Sequence, residues 1–484
     1  MQACHGTWVA WGSGNADRDT VDAQNHVRVP PDNPQYTLRR VWLSEAQVRG
    51  FYYGFANSAL WPLCHLHLEH VVFNPRHWHY YQEVNAHFAR VVAEECGNTP
   101  ALVWIQDYHL ALCPAYLRRC LPALAVMHFW HIPWPPWEVY RTCPWRRELV
   151  EALLGNDLLG FHLEQYGHNF LQCTERVLGA SVDYDTGVVE YQGRKTWVRA
   201  FPISIDAAWW TRLASGRHVT RRIARLRAQP DHAFPLLGLG VDRLDYTKGI
   251  VSRLVAIERF LEKYPEYQGR FGFVQIAVPS RTQIRGYRQV KAQVEALIER
   301  INKRFGMAGT TPIHYRYEHL EPAELAVYYR MADVAMVTSL YDGMNLVAKE
   351  FVAAQVERRG VLICSEFAGA AEELHSALLI NPYDVEGMAE ALKRTLEMPA
   401  AEKTRRMARL QTHIAEHNIY KWLADIFAEL ARLQKEPRVR PVLRQLGARH
   451  LEPGAEVYWE VLESQKAGMG RPSAPVNTIT HGHH

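Results

Sequence analysis

Two cations lie close together after a strand-like run in the middle of this 484-residue chain. The stretch VDRLDYTKG, residues 241–249, follows the apolar run FPLLGLG and carries Arg243 and Lys248, with Asp242 and Asp245 interleaved. Arginine offers a bidentate fork and lysine a mobile point charge, so the pair suits a diphosphate. A plain surface ion pair, in which Asp245 holds one cation, is the alternative interpretation.

A second stretch, YDGMNLVAKEFVAAQ at residues 341–355, supplies groups that complement such a site. Gly343 lets the backbone approach a ligand closely. The segment after it has a helical pattern, and the amides at its start would point free N–H groups at an anion. Glu350 lies one turn beyond Leu346 and can accept hydrogen bonds from a diol such as a ribose. The simpler alternative makes Asp342 a helix cap and Glu350 a solvated residue.

Further polar residues follow other strand-like runs, at the points where those runs end. They are Asp107, Tyr108 and His109 after LVWIQ, His131 after VMHFW, and Arg281 after FVQIAVPS. Open parallel sheets bind ligands beyond the carboxyl ends of their strands, so we expect a site along that edge. The D-x-D triplet Asp183–Tyr184–Asp185 lies instead in a predicted hairpin. We interpret it as turn chemistry and predict no metal site.

The elements that must position these residues alternate between short apolar runs and longer amphipathic segments. The strand-like runs are GTWVAWG, TLRRVWL, PALVWIQDY, LAVMHFWHIP and DLLGFHL, and then FPLLGLGVD, FGFVQIAVP, DVAMVTSL, GVLICS and ALLINP. Continuous apolar strands that alternate with helices predict parallel sheets covered on both faces, hence the α/β class. The alternation runs through both halves, which indicates two doubly wound domains with a break near residues 198–210.

Composition excludes several other classes of protein. The chain is 48% apolar and 22% charged with a net charge of +4, so we expect no nucleic-acid partner. It has no apolar run long enough to cross a bilayer, so we expect no membrane partner. None of the eight cysteines forms a C-x-x-C pair. We therefore expect reduced thiols and a cytoplasmic protein.

Taken together, these motifs resemble those of the trehalose-6-phosphate synthases, which are retaining GT-B glycosyltransferases. The stretches that carry the resemblance are VDRLDYTKG, YDGMNLVAKEFVAAQ, IQDYHL, FWHIPWPPWEVY, FYYGFANSALWPLCH and EFAGAAEEL. They extend over residues 6–433. The resemblance implies two Rossmann-like doubly wound domains that face a central cleft. It implies an acceptor-binding domain at 1–204, a nucleotide-sugar-binding domain at 205–415, a helix at 416–435 that packs back on the first domain, and a partly disordered tail at 436–484.

The resemblance also implies roles for individual residues. The catalytic residues would be Arg243, Lys248, His131 and Asp342. The donor would be bound by Arg243, Lys248, Leu320, Asp342, Gly343, Met344, Asn345, Leu346, Val347 and Glu350. The acceptor would be bound by Tyr53, Trp61, Asp107 and Arg281.

The implied reaction transfers glucose from UDP-glucose to glucose 6-phosphate with retention, without a metal or other cofactor, in a homo-oligomer that is a dimer or a tetramer. Family members begin with a strand carrying an SNR-like motif and a Gly-Gly loop, which are not found in this sequence. We expect either a misassigned or truncated start, or the loss of part of the site. Two alternatives therefore stay open: a glucosylglycerol-phosphate synthase that uses glycerol 3-phosphate, and a non-catalytic regulatory paralogue that binds nucleotide sugar.

Overall fold

The computed structural model describes residues 6–12, 17–229, 234–307 and 310–433. Its strands are β1 Thr7–Gly12, β2 His26–Val29, β3 Tyr36–Trp42, β4 Leu102–Gln106, β5 Ala125–Phe129, β6 Leu158–Phe161, β7 Ser181–Asp183, β8 Val188–Tyr191, β9 Arg194–Ala200, β10 Leu236–Arg243, β11 Phe271–Val278, β12 Ile313–Arg316, β13 Val334–Val337, β14 Val361–Ser365 and β15 Leu378–Ile380. Its α-helices are α1 Glu45–Gln47, α2 Trp61–Cys64, α3 Pro75–Cys96, α4 Cys113–Cys120, α5 Trp137–Tyr140, α6 Arg146–Leu153, α7 Glu164–Leu178, α8 Ala207–Ala214, α9 Arg217–Arg227, α10 Ile250–Lys263, α11 Arg285–Phe305, α12 Pro322–Met331, α13 Leu346–Ala354, α14 Val385–Glu397, α15 Ala400–Glu416 and α16 Ile419–Arg432.

Contacts divide the chain into two units. The described residues within Met1–Cys64, Leu68–Phe201 and from Ala424 onward form the first unit. Those within His65–His67 and Pro202–Leu423 form the second unit. The last division falls inside α16, and Glu429 near the end of that helix forms a 2.6 Å ion pair with Arg199 of β9 in the first unit.

The first unit has a six-stranded sheet in the order β4-β5-β6-β9-β8-β7. Strands β4, β5, β6 and β9 are parallel, whereas β8 and β7 extend the sheet as antiparallel hairpins. These hairpins contain the D-x-D triplet, and Asp183 accepts hydrogen bonds from the amides of Asp185 (3.0 Å) and Thr186 (3.1 Å). The interpretation of the triplet as turn chemistry is therefore confirmed.

The second unit has a six-stranded, wholly parallel sheet in the order β12-β11-β10-β13-β14-β15. In chain order this is the 3-2-1-4-5-6 arrangement of a dinucleotide-binding fold, in which the strand order reverses between β10 and β13. The apolar faces of α10, α11 and α14 cover one side of the sheet, with Leu254, Val294 and Leu392 fully buried. Ligands bind at the carboxyl edge of such a reversal, which here is the end of β10.

Each strand-like run identified in the sequence forms a strand. The structure adds β2, His26–Val29, which pairs antiparallel with β3. It also adds β12, Ile313–Arg316, which pairs in parallel with β11 at the edge of the second unit's sheet. Its run IHYR mixes polar and apolar residues, so it lacks the continuous apolar signal of the buried strands. No helix among the described residues is long and apolar enough to cross a membrane.

Candidate functional site

The loop after β10 holds both cations of VDRLDYTKG at the strand reversal of the second unit. Arg243 is the last residue of β10, and Lys248 closes a one-turn 3-10 helix, Tyr246–Lys248. Asp245 caps that turn by accepting a hydrogen bond from the amide of Thr247 at 3.0 Å. Gly249 then adopts φ +63°, so the chain can turn directly into α10. The capped turn fixes the point from which Lys248 projects.

Lys248 is paired with Asp342, which lies 94 positions further along the chain. The two side chains are largely buried, and Lys248 Nζ donates to Asp342 Oδ2 at 2.6 Å. Ser339 Oγ (3.1 Å) and Asn345 Nδ2 (3.0 Å) donate to the same oxygen. Burial raises the pKa of the Asp342 carboxyl, but Lys248, His65 and Asn345 together outweigh burial and lower that pKa to about 2. Asp342 is therefore a fixed anion in this site.

The turn that carries Asp342 is held by the EFAGAAEEL stretch. The amide of Gly369 donates to the Asp342 carbonyl at 3.0 Å, and the amide of Ala370 donates to the Met344 carbonyl at 2.7 Å. A Cβ atom at Gly369 would lie 2.2 Å from the Gly343 carbonyl oxygen, so the glycine at 369 permits this close approach. The turn from Asp342 to Met344 is therefore rigidly placed beside the reversal.

Helix α13 begins directly after this turn. Asn345 adopts φ +82° and is the N-terminal cap, because its side chain accepts a hydrogen bond from the amide of Ala348 at 3.1 Å. The simpler interpretation of Asp342 as the cap is therefore wrong. The amides of Leu346 and Val347 are in the first turn, where N–H groups point out of the helix start and favour an anion.

Glu350 lies one turn further along α13 in an unusual environment for a carboxylate. Tyr329 donates to its Oε2 at 2.9 Å. Burial raises the pKa of Glu350 to about 7, and the hydrogen bond from Tyr329 only partly opposes that effect. Leu320, which the sequence assigns to the base of the donor, is buried in the connection between β12 and α12.

Arg281 belongs to the second unit and is linked to the loop after β10. Its Nη1 lies 3.6 Å from Asp245 Oδ2, and it donates to the Tyr287 hydroxyl at 2.5 Å. Tyr287 in turn donates to Asp245 at 2.9 Å. Burial raises the pKa of Asp245, but the charges of Arg281, Arg243 and Lys248 lower it overall. Asp245 thus interacts electrostatically with three cations, which include the predicted donor ligand Arg243 and the predicted acceptor ligand Arg281.

In the first unit, Asp107 and His131 meet at the carboxyl ends of β4 and β5. Asp107 has φ +66°, and its Oδ1 accepts hydrogen bonds from the amides of Tyr108 (2.9 Å) and His131 (3.2 Å). His131 Nε2 lies 2.7 Å from Gln106 Oε1. Because an amide oxygen only accepts hydrogen bonds, this contact favours a proton on Nε2 of His131.

His128 lies beneath these residues and is fully buried. Its Nε2 is 2.9 Å from the Asp107 carbonyl oxygen. Burial lowers the pKa of His128 to about 4, so the ring is neutral and donates to that carbonyl. The contact helps to hold Asp107 in its positive-φ conformation.

Tyr53 and Trp61 lie on a helix with unusual geometry. Residues Val48–Leu60 form a π-helix that continues into α2 at Trp61. Asn57, on this helix, is buried; its Nδ2 donates to the Tyr52 carbonyl at 2.9 Å and its Oδ1 accepts from the Tyr108 hydroxyl at 2.6 Å. Asn57 therefore ties the helix of Tyr53 and Trp61 to the turn that begins at Asp107.

Two aromatic residues that the sequence analysis did not select also lie here. The Tyr52 ring stacks on His109 at 5.6 Å with an interplanar angle of 12°. Trp11 of β1 contacts the edge of Tyr52 at 5.2 Å. Tyr52 was not selected because the turns of a π-helix are wider than those of an α-helix, which changes the residues that share a face. No pattern in the sequence indicates this change.

Comparisons with known proteins match nearly the whole described chain. The family model described as glycosyltransferase family 20 matches residues 1–432. A trehalose-6-phosphate synthase of Mycolicibacterium gilvum is 39% identical over 445 residues, covering 90% of this chain and 86% of that protein. A bifunctional trehalose-6-phosphate synthase/phosphatase of Thermoproteus tenax is 40% identical over 440 residues, and the match spans only 58% of that longer relative.

Solved structures agree with these sequence matches. A structure from E. coli bound with UDP-2-fluoro glucose has a TM-score of 0.81 and 34% identity, covering 88% of this chain and 94% of that one. An alpha,alpha-trehalose-phosphate synthase (UDP-forming) of Burkholderia xenovorans, in complex with glucose-6-phosphate, has a TM-score of 0.80 and 33% identity over 88% and 94% of the two chains. The predicted fold class, GT-B with two Rossmann-like doubly wound domains, is confirmed.

Proposed function

The chain belongs to glycosyltransferase family 20, and we propose that it transfers glucose from UDP-glucose to glucose 6-phosphate with retention, forming trehalose 6-phosphate and UDP. The observation that carries the proposal is the buried Lys248–Asp342 pair at the strand reversal of the second unit. Arg243 precedes Lys248 at the end of β10, and α13 begins shortly after Asp342 in the chain. These groups suit a diphosphate that is leaving a sugar.

The donor would lie along the second unit. Arg243, Lys248 and the amides of Leu346 and Val347 would neutralise the diphosphate. Asp342 would accept hydrogen bonds from the glucose hydroxyls, beside the backbone of Gly343, Met344 and Asn345. Glu350 would accept the ribose hydroxyls, and the backbone at Leu320 would contact uracil. We therefore assign donor binding to residues 205–415.

We assign acceptor binding chiefly to residues 1–204, most of which lie in the first unit. Tyr53, Trp61 and Asp107 would contact glucose 6-phosphate, and Arg281 of the second unit would add a cation for its phosphate. His131 would lie near the O6 of the donor glucose. The links that join Asp107 to His131, and Asn57 to Tyr108, support a site that is organised before substrate arrives.

The chemical step follows from these positions. The anomeric hydroxyl oxygen of glucose 6-phosphate attacks C1 of the donor glucose on the face from which the diphosphate departs. The C1–O bond breaks, its electron pair goes to UDP, and the hydroxyl proton passes to the departing phosphate oxygen. Arg243 and Lys248 stabilise the charge that grows on that oxygen, which is usually the largest catalytic contribution. This step uses no protein nucleophile.

Three other expectations remain predictions. The charge on the diphosphate is expected to be neutralised by protein cations instead of a metal, and the described residues contain no cluster of three or more His, Cys, Asp or Glu able to hold one. Assembly as a dimer or tetramer is expected from the family. A cytoplasmic location is expected from the sequence.

Glu350 should make donor binding depend on pH. Because its pKa is about 7, the side chain is protonated below that pH and accepts hydrogen bonds from a diol less well. UDP-glucose is a suitable probe, since its diphosphate does not titrate near neutrality. We expect its affinity, measured by calorimetry, to rise about tenfold between pH 6 and pH 8.

The variant Glu350→Gln is the matched control for this pH dependence. It should bind UDP-glucose weakly and with an affinity that does not change across the same range. An equal rise in wild type and variant would show that another group is responsible.

Product analysis tests the proposed reaction. The protein is incubated with UDP-glucose and either glucose 6-phosphate, glycerol 3-phosphate or no acceptor, and the products are separated and weighed by mass spectrometry. We expect a phosphorylated disaccharide and UDP with glucose 6-phosphate only. Product with glycerol 3-phosphate alone would make the chain a glucosylglycerol-phosphate synthase. Binding of UDP-glucose without any turnover would make it a regulatory paralogue.

A further inference from the structure

Arg253 lies in the first turn of α10, directly beneath the loop that carries Arg243 and Lys248. Its side chain is fully buried, and its Nη1 donates to Asp242 Oδ2 at 2.6 Å and to Gln275 Oε1 at 2.9 Å. Its Nε donates to Thr338 Oγ1 at 3.1 Å. One guanidinium group thus joins β10, β11 and the residue after β13, the three chain segments that meet at the strand reversal.

The backbone around this guanidinium leaves room for it at Gly240. A Cβ atom at Gly240 would lie 2.3 Å from Arg253 Nη1 and 2.7 Å from Gln275 Oε1. Any larger residue at this position of β10 would therefore displace the guanidinium group. The close approach of the Arg253 side chain therefore explains why a glycine, Gly240, lies in the middle of this buried strand.

Arg253 reaches the diphosphate loop through Thr338. The Thr338 hydroxyl donates to the carbonyl oxygen of Gly249 at 3.1 Å, and its distance to the Lys248 carbonyl oxygen is 3.4 Å. Asp242, the other main partner of Arg253, immediately precedes Arg243. Arg243 is therefore next in the chain to one partner of Arg253, Asp242. The backbone of Lys248 contacts the other partner, Thr338.

Packing alone does not account for a charge at this position. Burial of an ion pair costs desolvation energy, and replacing such pairs by apolar residues is often neutral or stabilising. Arg253 adds a further cost, because its Nη2 has no hydrogen-bond partner among the described residues. An apolar residue could fill this position, but it could not fix the relative geometry of the three segments as the forked arginine side chain does.

We propose that Arg253 is a positioning residue, which fixes the backbone at Asp242, Thr338 and Gly249 so that Arg243 and Lys248 converge on the leaving diphosphate. It touches no substrate. The proposal rests on the proposed function for the identity of the ligand. The positioning of Lys248 and Arg243 by Arg253 would apply to any diphosphate that binds at this edge of the sheet.

The test removes the buried pair as a unit. Arg253→Met alone would leave Asp242 as a buried anion without its cation and is expected to unfold easily. The double variant Asp242→Asn/Arg253→Met removes both charges, and we expect it to fold with an unfolding midpoint near that of wild type. Its kcat should nevertheless fall about 100-fold, with a smaller change in the KM for UDP-glucose. Arg253→Lys should regain stability and not kcat, because an ammonium cannot bridge Asp242 and Thr338 together.

A binding measurement separates this proposal from the proposed reaction. UDP affinity, measured by calorimetry, should fall in the double variant and in Arg243→Ala, and their combination should be little worse than either. Additive losses, or wild-type affinity and kcat in the folded double variant, would overturn the positioning role. Failure of the proposed reaction would appear differently, as wild-type protein that binds UDP and makes no disaccharide.

The first unit offers a matched control. Arg118 and Asp157 form a similarly buried ion pair at 2.5 Å, at the opposite, amino-terminal end of β6. The variant Asp157→Asn/Arg118→Met should change the unfolding midpoint and leave UDP affinity unchanged. An equal loss of UDP affinity in this control would show that removal of any buried pair perturbs the site, and would also overturn the proposal.

Discussion

Replacement of Arg243 by alanine is expected to lower kcat about 100- to 1000-fold while the protein remains folded. Arg243 ends β10 and is only partly buried, so its removal leaves no cavity in the core. Burial raises the pKa of Asp245, but the charges of Arg281 and then Arg243 lower it, so the Arg243 guanidinium acts on the loop that carries Lys248. Loss of this cation removes charge stabilisation that matters most when the diphosphate departs.

Two further variants define what Arg243 supplies. Arg243→Lys keeps the charge and loses the bidentate fork, so its kcat should lie between those of Arg243→Ala and wild type. Arg300→Ala removes an exposed arginine of the same unit, paired with Glu258, and should leave kcat unchanged. Near-normal turnover by Arg243→Ala, measured as UDP release, would contradict the assignment of the diphosphate site.

Gly249→Ala is expected to have the largest effect on folding. Gly249 has φ +63°, and a Cβ atom there would lie 2.0 Å from the backbone oxygen of Thr338. Backbone, unlike the end of a side chain, cannot move away cheaply, because Thr338 directly follows β13 in the centre of the sheet. We expect a loss of more than about 4 kcal/mol in the free energy of unfolding, measured by chemical denaturation.

Gly179→Ala is the control for the backbone conformation alone. Gly179 ends α7 with φ +65°, and nothing lies within 4 Å of the position where its Cβ would be. The cost should therefore be only that of a left-handed alanine, about 1 kcal/mol. Similar losses in the two variants would mean that the contact with Thr338 is relieved by a small shift and that the loop is not rigid.

Local patterns predicted much of this structure because the buried strands are continuous apolar runs. The run before Arg243 and the run before Asp342 both form strands of one parallel sheet, so both residues reach the same edge, as expected. Glu350 lies within α13 and Gly343 lies before it, as the helical pattern predicted. These features depend only on residues a few positions apart.

Contacts between distant residues were not predictable in the same way. The Lys248–Asp342 pair and the Arg253–Thr338 contact join residues 94 and 85 positions apart, and their formation depends on the order of the strands. Arg253 has no sequence signal of its own, since a cation in an amphipathic helix is ordinarily solvated. The same limitation applies to Asn57, whose role depends on the π-helix and on the Tyr108 hydroxyl.

One measurement tests the central claim most directly: nuclear magnetic resonance of the product formed from UDP-glucose labelled with ¹³C at C1 and unlabelled glucose 6-phosphate. The proposed reaction predicts one labelled and one unlabelled anomeric carbon, joined to each other through a single oxygen, both in the α configuration. The label in free glucose, in a β linkage, or in any linkage that leaves the anomeric carbon of glucose 6-phosphate free would contradict it.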